Sequence, residues 1–252
     1  MNALAAAHHH AAPVPPAHTG AWGLSLVAAA LVVLAVVRVA RRGGRAWFTT
    51  AAAALVAGAL CTPFHQLAAS RSLVAHMLQH EVLATVAPVL LVLGIPPDRP
   101  RMGATWRAAT DPLTGWAAWS AAVVGWHLPG PHAAAAASWW VSELRAATLL
   151  AAGVLLWASL VRPADERAAA VPRIGALGGA MAACGAVGAV LLAWPEPLYA
   201  HGGGTPGLGV LADQRAAGGV MMAVDMTAMM AALYALIPDW AGAAARQTGA
   251  DG

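Results

Sequence analysis

The chain has 252 residues, of which 60% are hydrophobic and only 10% charged, with a formal net charge of +3. Because soluble domains carry about 25% charged residues, this composition indicates a membrane protein. The positive side chains are all arginines, and they are not gathered into the basic surface that nucleic-acid binding requires, so that class is excluded.

Seven apolar segments approach the length of about 20 residues that crosses the hydrocarbon core of a bilayer. We therefore predict an all-α integral membrane bundle of seven transmembrane helices in residues 21–240. A disordered extracytoplasmic tail, residues 1–20, would precede it, and a short cytoplasmic tail, residues 241–252, would follow. The predicted spans are 22–40, 47–68, 72–94, 113–130, 138–161, 173–194 and 216–237.

The arginines predict the orientation of the bundle, because positive residues accumulate in cytoplasmic loops. Arg71 and Arg215 fall on one side of the predicted membrane, whereas eleven arginines fall in the loops and the tail of the other side. The amino terminus is therefore predicted outside and the carboxyl terminus inside. The eleven are Arg38, Arg41, Arg42, Arg45, Arg99, Arg101, Arg107, Arg162, Arg167, Arg173 and Arg246.

The third span contains two histidines, His76 and His80, four residues apart. This spacing places both imidazoles on one helical face, about 6 and 12 Å below the predicted outer boundary. An ionisable side chain inside a membrane indicates a functional site, although both rings could simply hydrogen-bond neighbouring helices. Pro88 lies further along the same span and predicts a kink, because it removes the hydrogen bond to the Ala84 carbonyl.

Other polar or sulfur-bearing side chains fall in the same outer part of the predicted bundle. A path for protons or ions would need such residues to reach the cytoplasmic face as well, and the inner half has almost none. The sequence therefore predicts a pocket that opens on the extracytoplasmic side. The side chains are His65, His127, His132, Glu143, Arg145, His201, Asp213, Met221, Met222 and Asp225.

The ligand types in this pocket favour a soft metal ion. Imidazole binds copper, zinc, iron and nickel, and a methionine thioether favours Cu(I). His76, Met77 and His80, with Met221 or Met222, would supply such a mixed nitrogen and sulfur set. Two alternatives stay open: a redox protein that holds haem between His76 or His80 and His127, and a copper transporter.

The charged residues of the pocket are predicted to support it. Glu143, Arg145 and Asp225 would form a buried network, which either is structural or also orients a ligand histidine. Asp213 is predicted to cap the seventh helix, whose amino end it precedes. The sequence carries no phosphate loop, HExxH or GxSxG motif, so we predict that the protein is not an enzyme.

Several motifs resemble, in order and spacing, the CtaG-type family of cytochrome c oxidase assembly factors. They are HMLQHEVLATVAPVLLVLGIPP from residue 76, WHLPGPH from 126, GVLLW from 153, PLYAH from 197 and DQRAAGGVMM from 213. The resemblance implies a seven-helix protein of the bacterial plasma membrane that helps to mature haem-copper oxidase by handling copper for its subunits.

The resemblance also implies site residues. The family's histidine-rich third helix corresponds to His76 and His80 and its WH motif to His127, and the resemblance favours copper over haem. We therefore predict a Cu(I) site formed by His76, His80 and His127, with Met77 or Met222 assisting. Its DQ-GG-M motif corresponds to Asp213, Gln214, Gly218, Gly219 and Met222. Family members often carry a histidine near the start of the fifth helix, where this chain has Glu143 or Arg145, so His132 or His201 could complete the ligand set.

Overall fold

A computed structural model describes residues 25–41, 45–61, 63–95, 103–161, 170–199 and 204–250. Every regular element in these residues is a helix, so the all-α prediction is confirmed. The helices are α1 (Leu26–Ala40), α2 (Ala46–Leu60), α3 (Pro63–Ser70), α4 (Leu73–Glu81), a π-helical turn (Val82–Val86), α5 (Ala87–Leu93), α6 (Ala104–Ala109), α7 (Pro112–His127), α8 (Pro129–Ala137), α9 (Trp139–Val161), α10 (Ala170–Ala193) and α11 (Val210–Ala250).

Four helical segments of the described chain are long and apolar enough to cross a membrane: Leu73–Leu93, Trp139–Val161, Val171–Ala193 and Val210–Ile237. Helices α2 and α3 count as a fifth if they form one span, although the axis bends by 54° between them. Helix α1 is a shorter apolar helix. The seven-span topology and its orientation therefore remain predictions. The predicted tail 1–20 lies outside the described residues, and α11 continues as far as Ala250.

The segment Leu73–Leu93, here called the histidine helix, lies at the centre of the bundle. It packs against α2, α9 and α11. Of its apolar stretch, 61% is buried, against 22% for that of α11. Helix α9 comes closest at Gly153, where a Cβ atom would lie 2.3 Å from the Ala84 carbonyl oxygen and 2.5 Å from Pro88 Cγ. A glycine is therefore required at this crossing.

Pro88 is accommodated by the π-helical turn that precedes it. The amide of Ala87 donates to the Val82 carbonyl, five residues back, while Pro88 has no amide to offer Ala84. The indole Nε1 of Trp119, a fully buried residue of α7, donates to the Ala84 carbonyl at 3.1 Å. The kink predicted from the proline is thus a π-turn within one continuous span, stabilised by a side chain from a neighbouring helix.

The two ends of the bundle differ in chemistry. The end that contains the start of the histidine helix and the last turn of α7 is here called the histidine end. At the opposite end, Arg38 donates to the Gly94 carbonyl at 2.6 Å, and Arg173 donates to the Leu160 carbonyl. These carbonyls lie at helix carboxyl ends, which attract positive charge.

Candidate functional site

The histidine helix begins with two caps on its free backbone amides. Ser72 Oγ accepts from the Ala75 amide at 3.0 Å, as an N-cap residue does. Asp213 of α11 accepts from the amides of Leu73 at 2.7 Å and Val74 at 3.4 Å. The prediction that Asp213 caps its own helix is therefore wrong, because α11 begins at Val210 and directs this carboxylate toward the neighbouring helix.

Gln214, the next residue, connects α11 to the end of α10. Its Oε1 accepts from the Leu198 amide at 2.7 Å, and its Nε2 donates to the carbonyls of Leu191 and Glu196, each at 3.3 Å. The Asp-Gln pair thus holds the histidine helix, α10 and α11 in register at the histidine end.

Four imidazoles come together at this end, and we call them the histidine cluster: His76, His80, His127 and His132. The ring centroid of His76 lies 4.7 Å from that of His80 and 4.8 Å from that of His132. His80 lies 4.9 Å from His127. All four side chains are buried, with at most 7% exposed. The three histidines predicted as ligands are therefore neighbours in space, although they belong to two helices.

His127 and Met77 form a close pair of potential metal ligands. His127 Nδ1 lies 2.7 Å from the Val123 carbonyl oxygen, which can only accept, so Nδ1 carries the proton. In the neutral ring Nε2 then presents its lone pair to Met77 Sδ, 3.2 Å away. A histidine that ligates a metal usually donates its other N–H to a carbonyl in this way.

His80 lies between the rings of His76 and His127 and is 3% exposed. Within the described residues, neither of its ring nitrogens has a hydrogen-bond partner. Buried polar groups are nearly always paired, so these two nitrogens are available to a ligand or a water. The described residues contain no ready-made metal site of three or more His, Cys, Asp or Glu side chains.

His132 belongs to the cluster, whereas the sequence left its role open. It lies on α8 and stacks on Tyr199, with ring centroids 4.1 Å apart. Tyr199 donates to the His127 carbonyl at 2.6 Å, and burial raises the pKa of this phenol to about 12. The available signal was the motif WHLPGPH, since Pro129 begins a new helix that folds back toward the cluster.

Glu143, Arg145 and Asp225 were predicted to form one network, but the structure gives each a separate hydrogen-bond partner. Glu143 accepts from Ser25 Oγ at 3.2 Å, at the start of α1. Asp225 accepts from Thr85 Oγ1 at 2.6 Å. Arg145 Nη1 lies 3.2 Å from His76 Nε2 and, as a guanidinium, can only donate to it. Of these three contacts, the one made by Arg145 reaches a predicted ligand.

The methionines at the start of α11 face different neighbours. Met221 is 1% exposed and lies one turn from Asp225, on the side of α11 that faces the histidine helix. Met222 packs against α10, since a Cβ at Gly188 would lie 2.7 Å from its sulfur. Ligation by Met222, as predicted, requires its sulfur to leave this contact. Gly218 of the same motif also serves packing, because a Cβ there would lie 2.8 Å from Leu191 Cβ.

The remaining histidines fall elsewhere. His65 Nδ1 accepts from Gln79 Nε2 at 3.1 Å, and Gln79 also donates to the Ala59 carbonyl at 2.6 Å. His65 is thereby fixed to the α2 side of the bundle. His201 lies outside the described residues.

Taken together, the apolar helices and the buried polar cluster define an all-α membrane protein with a polar site near one end of its bundle. Residues 30–243 match the family of cytochrome c oxidase caa3 assembly factors (Caa3_CtaG), and the chain belongs to this family. Comparisons with curated proteins and with solved structures gave no match.

Proposed function

We propose that this protein binds Cu(I) at the histidine cluster on the outer side of the bacterial plasma membrane and passes it to a haem-copper oxidase during assembly. The copper ion is cargo, so the protein would act by ligand exchange without making or breaking covalent bonds. Membership of an oxidase assembly family supports the destination. The proposal for the metal rests on the arrangement of His127 and Met77.

The His127–Met77 pair carries the proposal because both facing atoms hold lone pairs. Two lone pairs at 3.2 Å repel each other unless something positive lies between them. Metal–ligand bonds of about 2 Å to nitrogen and about 2.3 Å to sulfur together exceed this separation, so one ion can reach both atoms. A thioether beside an imidazole selects Cu(I) over harder ions.

His80 would be the third ligand, and His76 and His132 lie close enough to receive or release the ion. His80 touches the rings of His76 and His127 and has no competing hydrogen bond among the described residues. The rings must rotate slightly to converge, since no formed three-ligand site is present in the described chain. Such loose ligation suits a protein that has to release its metal.

The haem alternative has less support. A haem with two axial histidines must fit between the two imidazole rings. The rings of His80 and His127 are instead in edge contact, with their centroids 4.9 Å apart. A colourless purified protein is therefore expected, and a Soret band would favour haem.

The proposal is tested in cells that lack the protein. We expect membranes of these cells to contain oxidase with less copper and lower activity, restored by the native chain but not by His80→Ala. His65→Ala is the matched control and should restore both, because His65 lies outside the cluster. Full rescue by His80→Ala would refute the site. Lowered total cellular copper in the deletion strain would favour transport instead.

A further inference from the structure

A groove of about 380 Å³ opens between α2, the histidine helix and α11. Its lining is apolar apart from the carboxylate of Glu81. Leu55 and Leu78 are 40% and 37% exposed, so the groove reaches the perimeter of the bundle, where a transmembrane protein meets lipid. The lining side chains that carry the argument are Leu55, Gly58, Leu78, Glu81, Val82 and Val224.

Glu81 has an unsatisfied acceptor at this groove. The side chain is 4% exposed, and its Oε2 has no hydrogen-bond partner within the described residues. Asp225 lies within hydrogen-bonding reach of the same carboxyl group. A buried polar atom without a partner is costly, and most of them in folded proteins are satisfied by a protein group, a water or a ligand. The unpaired oxygen therefore indicates an absent partner.

The groove is separate from the histidine cluster. Residues two apart on a helix point about 200° from each other, so Leu78 and Val82 lie on nearly the opposite face from His80. Glu81 lies between these two faces, and its side chain lines the groove. A ligand here would not compete for the imidazoles.

The size and lining restrict the occupant. Ligand sites are typically about 300–1,000 Å³, mostly apolar and provided with a few polar groups, whereas a partner helix about 10 Å across would not enter a space of this volume. The unpaired Oε2 is an acceptor, so the group that satisfies it must donate a hydrogen bond, as a hydroxyl does. The remaining surface requires a hydrocarbon chain or ring.

We propose that this groove binds a membrane-dissolved amphiphile that carries a hydroxyl on an apolar body, with the hydroxyl on Glu81 Oε2. The ligand enters sideways from the bilayer between Leu55 and Leu78. The site does not depend on copper binding and stands independently of the function proposed above.

The test uses the full chain in lipid nanodiscs and two photoreactive probes: a diazirine-bearing isoprenoid alcohol and its methyl ether. We expect the alcohol to label the peptides that contain Gly58 and Glu81, and an excess of unlabelled alcohol to compete. The ether cannot donate a hydrogen bond and should label these peptides about tenfold less. Equal labelling by both probes would show ordinary acyl-chain occupancy and overturn the proposal.

Variants locate the site. A Cβ at Gly58 would meet no heavy atom within 4 Å, so Gly58→Leu extends its side chain into the groove and should abolish labelling. Gly178→Leu on α10, where a Cβ also meets nothing within 4 Å, is the matched control and should label normally. Glu81→Leu should remove the preference for the alcohol, and Glu81→Gln should retain it. Normal labelling of folded Gly58→Leu protein would contradict the site even if Glu81→Leu failed to fold.

Discussion

Among single residues, Arg145 has the clearest influence on the proposed copper site. Its guanidinium donates to His76 Nε2, and its charge acts on His80 as well. A bound cation would be repelled by this positive group, and the His76 lone pair is already engaged. If the cluster binds Cu(I) as proposed, Arg145 would limit its affinity, which suits a protein that has to release its metal.

We therefore expect Arg145→Gln to bind Cu(I) more tightly, by roughly tenfold or more, because a nearby like charge is removed. Competition with a chromogenic Cu(I) chelator measures the change. Arg145→Lys keeps the charge and should bind like the native protein. Weaker binding by Arg145→Gln would mean instead that Arg145 orients His76 for ligation.

Tyr199 gives the site a dependence on alkaline pH. Burial favours the neutral phenol and raises its pKa from 10 to about 12. Below about pH 10 the phenol is neutral in both the folded and the unfolded chain, and the stability is at its full value. Between about pH 10 and 12 the phenol of the unfolded chain ionises first, so the free energy of unfolding falls as the pH rises. Thermal unfolding of the purified protein should show this loss, and Tyr199→Phe should lack it. Parallel pH profiles of the two proteins would argue against the shift.

The contacts of single residues were only partly predictable from the sequence. The spacing of His76 and His80 implied that they are neighbours, because one helix determines that distance. The pairing of Met77 with His127 depends on how two helices are aligned, and the capping of Leu73 by Asp213 depends on a third. The local sequence pattern of one helix does not show how that helix is aligned with its neighbours.

At the level of elements, the histidine helix is positioned by its π-turn and by α9. The sequence predicted a break at Pro88, but the compensating donor, Trp119, is 35 residues away from Ala84 on another helix. Gly153 allows α9 to approach this turn closely. The shape of the histidine helix beyond its histidines therefore depends on the helix itself, on α7 and on α9.

Gly153→Ala should consequently destabilise the protein, by about 1–3 kcal/mol, because the added methyl group would overlap the Ala84 carbonyl oxygen and Pro88. A lower melting temperature in detergent is the expected result. Gly125→Ala on α7, where a Cβ would meet no heavy atom within 4 Å, is the control and should melt like the native protein. Equal melting of the two variants would show that α9 packs less tightly than this geometry implies.

On the scale of the whole molecule, three of the loop arginines and the histidine cluster lie at opposite ends of the described bundle, and which end faces outward stays a prediction. Arg38, Arg45 and Arg173 bind carbonyls at one end, and the histidine cluster lies at the other. The sequence predicted this separation because most of its arginines stand in the loops between apolar segments and fall on one side of the predicted membrane. It could not show that short helices such as α3 and α8 lie at the histidine end.

The predicted orientation can be tested with single cysteines in a chain whose Cys61 and Cys184 are replaced by alanine. Ala133→Cys on α8 should react with a membrane-impermeant maleimide in intact cells, since α8 lies at the predicted outer end. Thr114→Cys, near the start of α7, should react only after permeabilisation. The reverse pattern would place the histidine cluster on the cytoplasmic side and invalidate delivery from outside.

The proposed copper site requires one Cu(I) ion that is held by both His127 Nε2 and Met77 Sδ. X-ray absorption spectroscopy of the purified, Cu(I)-loaded protein tests it most directly. We expect one copper per chain with nitrogen ligands and one sulfur at about 2.3 Å, and loss of that sulfur in Met77→Leu. Copper that is absent, or whose ligand shell is unchanged by Met77→Leu, would contradict it.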